Sequence, residues 1–370
     1  MCRQFRLLAS FVLALGLVGA VSAADITWDD EGPDSLWSTG MNWNPNVVPT
    51  DADDAYINME PGAMIDAAVT ADALDVILGA AAGETGRITM TGGTLTVHKT
   101  GSGGPGLWIG SEGIGYFEMS GGTLVADNVY APRYAPGQGF MTMSDGSITT
   151  GATFTLGLHH NAYGEFNMSG GTVEVGSMFR CSDYGAGRLN MTGGSMDVAG
   201  TFYVVRRGNS GGANTAGHVQ LHGGTLTVND FQMDPQGSGR PATMDITGGT
   251  LRVGGDKTGV INGYIASGWV TAYGGGGDVK VELAGGDTVV TAMLGGRAWQ
   301  PDPENGATDV PVDSAIHWSP GRDAVAHDVY FGTSFADVNT ASDPALLPGR
   351  GRQDANTYDP GFLNLGQTYY

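Results

Sequence analysis

The decapeptide Ile88-Thr-Met-Thr-Gly-Gly-Thr-Leu-Thr-Val97 decides the fold, because the chain repeats it, with variations, eight times. It returns at 117–126, 141–150, 166–175, 189–198, 219–228, 244–253 and 281–290, with Asp145-Gly146 replacing Gly-Gly in the third copy. The paired step begins at 92, 121, 145, 170, 193, 223, 248 and 285, so successive copies lie 29, 24, 25, 23, 30, 25 and 37 residues apart. A period of this size with elastic insertions marks a solenoid whose units touch mainly their neighbours. Before the glycines apolar residues alternate, as in Phe117 and Met119 or Leu189 and Met191; after them come Leu95 and Val97, or Val173 and Val175. Period two means a strand with one buried face. The glycines fall where the chain turns a corner, since Gly alone reaches positive φ without strain.

A third apolar segment lies between copies: Leu107-Trp-Ile109, Asn128-Val-Tyr130, Met178-Phe179, Phe202-Tyr-Val204 and Asp230-Phe-Gln232. Three short strands per repeat predict an all-β fold, a right-handed parallel β-helix with coils of about 24 residues. Met90, Met119, Met143, Met168 and Met191, continued by Leu221, Ile246 and Leu283, then form an inward ladder. A methionine stripe also suits a soft metal, but here it alternates on the strands' apolar side and reads as core. Propeller blades and leucine-rich repeats need other periods and patterns, and 63 glycines without a Gly-X-Y period exclude collagen.

Residues 1–23 read as a secretory leader: Arg3 and Arg6 precede an apolar run that ends at Val21-Ser-Ala23. The run is too short for a membrane anchor, and no later segment approaches a transmembrane span. Its removal takes Cys2 and leaves Cys181 alone, so no intrachain disulfide is expected; Cys181 reads as a small, partly buried structural residue. With 17 basic and 38 acidic residues the net charge is −21, which argues against nucleic acid and anionic membranes as partners.

Residues 24–85 read as a cap with the first irregular coils, and 86–298 as the solenoid proper, lengthened at one corner by 208–217 and 267–278. In 24–85 there is no Lys or Arg, twelve acids lie between Asp25 and Asp75, and Trp28, Trp37 and Trp43 cluster early. The Trp43 and Pro49-Thr-Asp-Ala-Asp53 region resembles the opening of secreted bacterial β-helix proteins, relatives of autotransporter passenger domains. Asp51, Asp53 and Asp54 have the oxygen chemistry for structural Ca²⁺, but their spacing is not an EF-hand loop and a solvated acidic turn is the reading. No cofactor is expected. Over 299–370, Asn305 to Asp313, Trp318-Ser-Pro-Gly321, His327-Asp-Val-Tyr-Phe-Gly-Thr333 and Tyr358-Asp-Pro-Gly361 resemble the fibronectin type III-like modules of large bacterial surface proteins. The resemblance implies a seven-strand sandwich, and the chain stops in what would be the sixth strand. That reads as a truncated module in a longer chain with a monomeric solenoid.

Three familiar motifs carry no chemistry. Gly101-Ser-Gly-Gly-Pro-Gly106 leads into a strand, not a phosphate-binding helix, and Gly208-Asn-Ser-Gly-Gly212 has no nucleophile-elbow context. The Asn167 and Asn190 sequons are made by the repeat itself. The functional expectation is positional. Just after the third strand of successive coils stand Ser111 and Glu112, Arg133 and Tyr134, His159 and His160, Asp183 and Tyr184, Arg206 and Arg207, then Asp234. Stacked in register they predict an exposed ridge suited to a polysaccharide or cell-surface glycan, with tyrosines as stacking platforms and Arg and His as polar contacts. Parallel β-helix polysaccharide lyases place an Arg base and Asp-bound Ca²⁺ on such an edge. In the sequence no Asp cluster stands near Arg133 or Arg206, and His159-His160 lacks a third metal ligand. The reading is therefore a scaffold or adhesin, with a polysaccharide lyase or hydrolase as the alternative.

Overall fold

The computed structural model describes residues 23–98, 106–207, 214–234, 237–296, 298–321, 324–341 and 351–370. Residues 1–22 of the leader read at 1–23, most of the two glycine-rich motifs, and 208–213 of one insertion lie outside the described residues.

The chain is all-β, and its body is a parallel β-solenoid of about nine turns. Each coil contributes three short strands, one to each of three faces. On the first face, Ile88 pairs in register with Phe117, and Met141, Phe166, Leu189, Val219 and Met244 follow coil by coil. Parallel pairing reaches below residue 86, to Ala63–Ile65 on this face and to Asp25–Trp28 against Asp54–Ile57 on the third. The inward ladder from Met90 through Met191, Leu221 and Ile246 is at most 3% exposed. On the third face Phe154, Phe179, Phe202 and Phe231 stack inside at 5.1, 4.8 and 5.7 Å. These separations follow the strand spacing of about 4.8 Å.

The corner after the first face has a specific cause. The second glycine of the phrase has φ between 65° and 95° at Gly93, Gly122, Gly146, Gly171, Gly194 and Gly224. A Cβ on Gly122, Gly146, Gly171 or Gly194 would sit 2.5 to 2.7 Å from the Cε of Met90, Met119, Met143 or Met168, the methionine one coil earlier. The methionine tip thus occupies the space that the missing side chain leaves. Four successive coil junctions carry this Met–Gly contact, and at Gly249 Leu221 takes the place of the methionine.

The eighth copy breaks the pattern. Gly277–Ala284 and Asp287–Leu294 form an antiparallel hairpin, and the second of these strands pairs antiparallel with Thr250–Val253. Here both glycines have positive φ, 66° at Gly285 and 92° at Gly286, the requirement of a two-residue hairpin turn rather than a coil corner. Leu283 therefore leaves the ladder and is 54% exposed; Ala272 takes the eighth level. A helix not anticipated from sequence, α1 (Thr258–Ala266), lies at this end with Ile261 buried, and its Tyr264 continues the phenylalanine stack at 6.3 Å from Phe231. At the other end Trp28, Trp37 and Trp43 are fully buried, with ring centroids 4.7 and 5.0 Å apart.

Beyond residue 299, Trp299–Asp302, Ile316–Ser319 and Thr357–Tyr358 form one antiparallel sheet, and His327–Asp328 pairs with Arg352–Gln353. A short helix, α2 (Phe335–Thr340), adjoins them. Among the described residues here no apolar side chain is buried. The described strands do not establish the truncated fibronectin type III-like module expected here.

The Met–Gly lock can be measured by urea unfolding. Gly171→Ala (φ 79°, Cβ against Met143) should cost about 2 kcal/mol or more, from backbone strain plus overpacking. Gly255→Ala, with φ 72° and open space around it, should cost only about 1 kcal/mol. Equal costs would mean that the methionine tip contributes nothing.

Candidate functional site

The corner ridge is built on the third face. Its strands place Trp108, Tyr130, Thr155, Arg180 and Tyr203 in one outward column, paired coil to coil. The chain then turns back over that column, so the residues following each strand pack on the outward residues of the strand itself. Tyr130 is 8% exposed and Thr155 is fully buried although both point away from the core.

Residues from five consecutive coils make a continuous stack there. The Arg133 guanidinium lies over Trp108 at 4.2 Å, with the Tyr134 and Tyr130 rings at 5.0 and 5.7 Å. Tyr134 meets His159 at 5.1 Å, and His159 stacks on Tyr184 at 6.5 Å. His160 lies 5.2 Å from Tyr184, while Arg207 covers the Tyr184 ring at 5.3 Å and donates to its hydroxyl at 2.9 Å. Coils one strand spacing apart bring the rings into contact with each other, so Arg133 and His159 both lie against Tyr134. The expected tyrosine platforms are occupied within the protein. A ligand would meet mainly ring edges, the electropositive rim of the aromatic quadrupole.

Asp183 is not on the exposed ridge: its side chain is fully buried beneath it. Arg180 Nη1 donates to Asp183 Oδ2 at 3.2 Å, Arg206 Nη1 lies 3.6 Å from the same oxygen, and Arg207 Nε lies 3.6 Å from Oδ1. Three guanidiniums share one carboxylate, and Arg133 has no ion-pair partner among the described residues. Glu112, the other acid expected here, is exposed and forms no ion pair with these arginines among the described residues. Asp234 closes its own turn by accepting from Ser238 Oγ and the Gly239 amide. Three arginines around one carboxylate, with Arg133 stacked on the adjoining rings, thus form a cationic centre on a chain whose net charge is −21. Arg180, Trp108 and Tyr130 were missed at the sequence level because they were read only as strand residues. The signal was present: they share one outward register position, two to four residues before the corner.

The electrostatics follow from crowding. Burial lowers the Arg180 pKa; Asp183 opposes this, and Arg206 and Arg207 reinforce it. The His159 imidazole is held below its usual value by burial, then by Arg133 and His160, against the pull of Asp183. Burial raises the Tyr130 hydroxyl, opposed by Arg133 and Arg180. Cys181 is fully buried, its thiol pushed up to about 12 by desolvation, which makes it a core residue and not a nucleophile.

A separate shallow groove of about 500 Å³ lies on the first face and is lined by none of the ridge residues. In the acidic turn Asp53 accepts from the Thr50 amide and hydroxyl at 3.0 and 2.6 Å. Among the described residues no three His, Cys, Asp or Glu side chains converge, and no helix is long and apolar enough to cross a membrane. No family model, curated protein or solved structure matches this chain.

Asp183→Ala should destabilise the protein by about 3 kcal/mol, the lower end for breaking a buried pair because the arginines keep some solvent. Denaturant unfolding of this variant beside Arg207→Ala, which should change little, checks it. The depressed His159 makes the unfolded chain the stronger proton binder. Its share of stability is complete above the ordinary histidine value of 6.5 and is lost as pH falls from there toward the lower folded value. His218, lowered by burial and Arg188, acts in the same sense. His159→Gln should therefore flatten, without abolishing, the decline in unfolding midpoint from about pH 7 to pH 5.

Proposed function

We propose that this chain is an exported, non-enzymatic scaffold of the cell surface or extracellular space that holds an acidic polysaccharide along its cationic corner. The observation that carries this reading is local charge of the wrong sign for the whole molecule: three guanidiniums around a single carboxylate, and a fourth, Arg133, without an ion-pair partner among the described residues and embedded in rings, on a strongly acidic chain. Uncompensated charge in a partly desolvated site attracts an anion more strongly than the same charge in water. The ridge crosses consecutive coils at one strand spacing, which suits an extended polymer with regularly placed carboxylates or sulfates. Nucleic acid is the poorer partner, because its dense charge meets the repulsion of the acidic remainder. The leader-like 1–23, the single thiol left after its removal and the acidity support export.

A lyase would need a base at the sugar; the His159 ring, its pKa lowered by burial, lies between Tyr134 and Tyr184, which favours a structural part in binding.

Retardation in gels containing polygalacturonate tests the reading. Arg133→Ala with Arg207→Ala should weaken retention at least tenfold, and raising salt from about 0.05 to 0.3 M should weaken it in the wild type. Unfolding midpoints should move by less than about 1 kcal/mol equivalent. Unchanged retention in the double variant would overturn the proposal. Rising ultraviolet absorbance from unsaturated products would replace the scaffold with the lyase.

A further inference from the structure

The first face carries a second surface that the ridge does not use. Its outward positions form three parallel columns, since residues 116, 118 and 120 of one strand all point the same way and neighbouring coils stay in register. In the column of the three farthest from the corner Tyr116 stacks on Phe140 at 5.4 Å and 18°, between Arg87 and Glu165 of the same register; Tyr163, in register with Gln138 two residues farther out, lies 6.0 Å from Phe140. The middle column holds Glu118, Thr142, Asn167 and Asn190, and the column beside the Gly-Gly corner is a row of exposed hydroxyls, Ser120, Ser144, Ser169 and Thr192. The groove of about 500 Å³ runs over the last two columns.

Along the groove the acids are engaged within the protein, while Arg188, in register with Glu165, forms no ion pair among the described residues. Arg87 lies between Glu60 and Glu118. Glu165 accepts from Tyr163 Oη at 2.6 Å and from Asn167 Nδ2 at 2.8 Å. Asn167 Oδ1 in turn accepts from Asn190 Nδ2 at 2.6 Å, so the amides are held in fixed orientation before any ligand arrives. What remains for a partner is a concave strip of hydroxyls and oriented amides, repeated every coil and bordered by apolar ring surface. A few convergent polar groups beside aromatic surface is the composition of a small-molecule or oligomer site. Hydroxyls that both donate and accept match a ligand made of hydroxyls.

We infer that this groove is a second glycan site, independent of the ridge, that takes a neutral polysaccharide laid along the solenoid axis across at least four coils. The ligand's hydroxyls bond to the Ser and Thr row and to Asn167 and Asn190, and its C–H surface packs toward Tyr116 and Phe140. The scaffold would then hold two chemically different polymers on two faces at once.

Affinity gels containing a soluble neutral β-glucan or a mannan, each beside polygalacturonate, test this directly. Retardation by at least one neutral polymer is expected. Phe140→Ala should reduce it about tenfold and leave polygalacturonate retention unchanged, while Arg133→Ala should do the reverse. Thr142→Arg, at an exposed position that folding does not depend on, should block the groove and abolish neutral retention, which keeps the test valid if Phe140→Ala fails to fold. Absence of retardation by both neutral polymers, or full retention by Thr142→Arg, would overturn the second site without touching the ridge. Loss of neutral binding in Arg133→Ala would show one shared site and overturn it equally.

Discussion

One contact recurs at the centre of this molecule: a methionine methyl resting on the bare face of a left-handed glycine in the next coil. It couples two needs that are otherwise separate. The backbone must take positive φ to turn the corner, and the core must be filled at the same place. Glycine satisfies the first and leaves a void; an unbranched, adaptable side chain from the preceding coil fills it. Because the filler and the void belong to different coils, the corner chemistry is also the glue of the stack. That explains why Met and the corner glycine recur together through the first five copies while the rest of each coil varies.

Stacking at one strand spacing has a different effect outside the core. Large side chains on the same corner of successive coils are brought within ring-contact distance, so they bind each other before they bind anything else. Trp108, Tyr134, His159 and Tyr184 become a wall rather than a set of platforms. Guanidiniums stack into the same wall and lose water. The repeat thereby concentrates positive charge that is scattered through the sequence, and a single carboxylate, Asp183, fixes three of the arginines in place.

The solenoid was legible because its signals reinforce each other: period, alternation and corner glycines all specify the same coil. Leu283 was misplaced because its decapeptide looks like the others, and the letters do not reveal whether one glycine or both adopt positive φ. Helix α1 left little trace, since Gly259 and Gly263 disfavour a helix and its seat on the open end of the core stabilises it instead. Asp183 was read as exposed because solenoid corners usually face water. Its burial depends on arginines at 180, 206 and 207 converging from two coils, a three-dimensional fact that no spacing rule in one dimension expresses. The first-face columns were hidden for the opposite reason: Thr, Ser and Asn on an outward strand position look like ordinary solvent-facing residues until their register makes them continuous.

The antiparallel hairpin at 277–294 has a meaning for growth. A parallel stack has no intrinsic length, for every terminal coil presents the same unpaired edge to the next, whether that next coil is in the same molecule or another. Reversing the chain direction removes that equivalence: the last strand in the sheet no longer offers the polarity and register of a coil, and Asp278, Lys280 and Glu282 sit along it. The reversal acts as a stop codon written in backbone direction, setting the length of a rod that the repeat alone would leave open-ended.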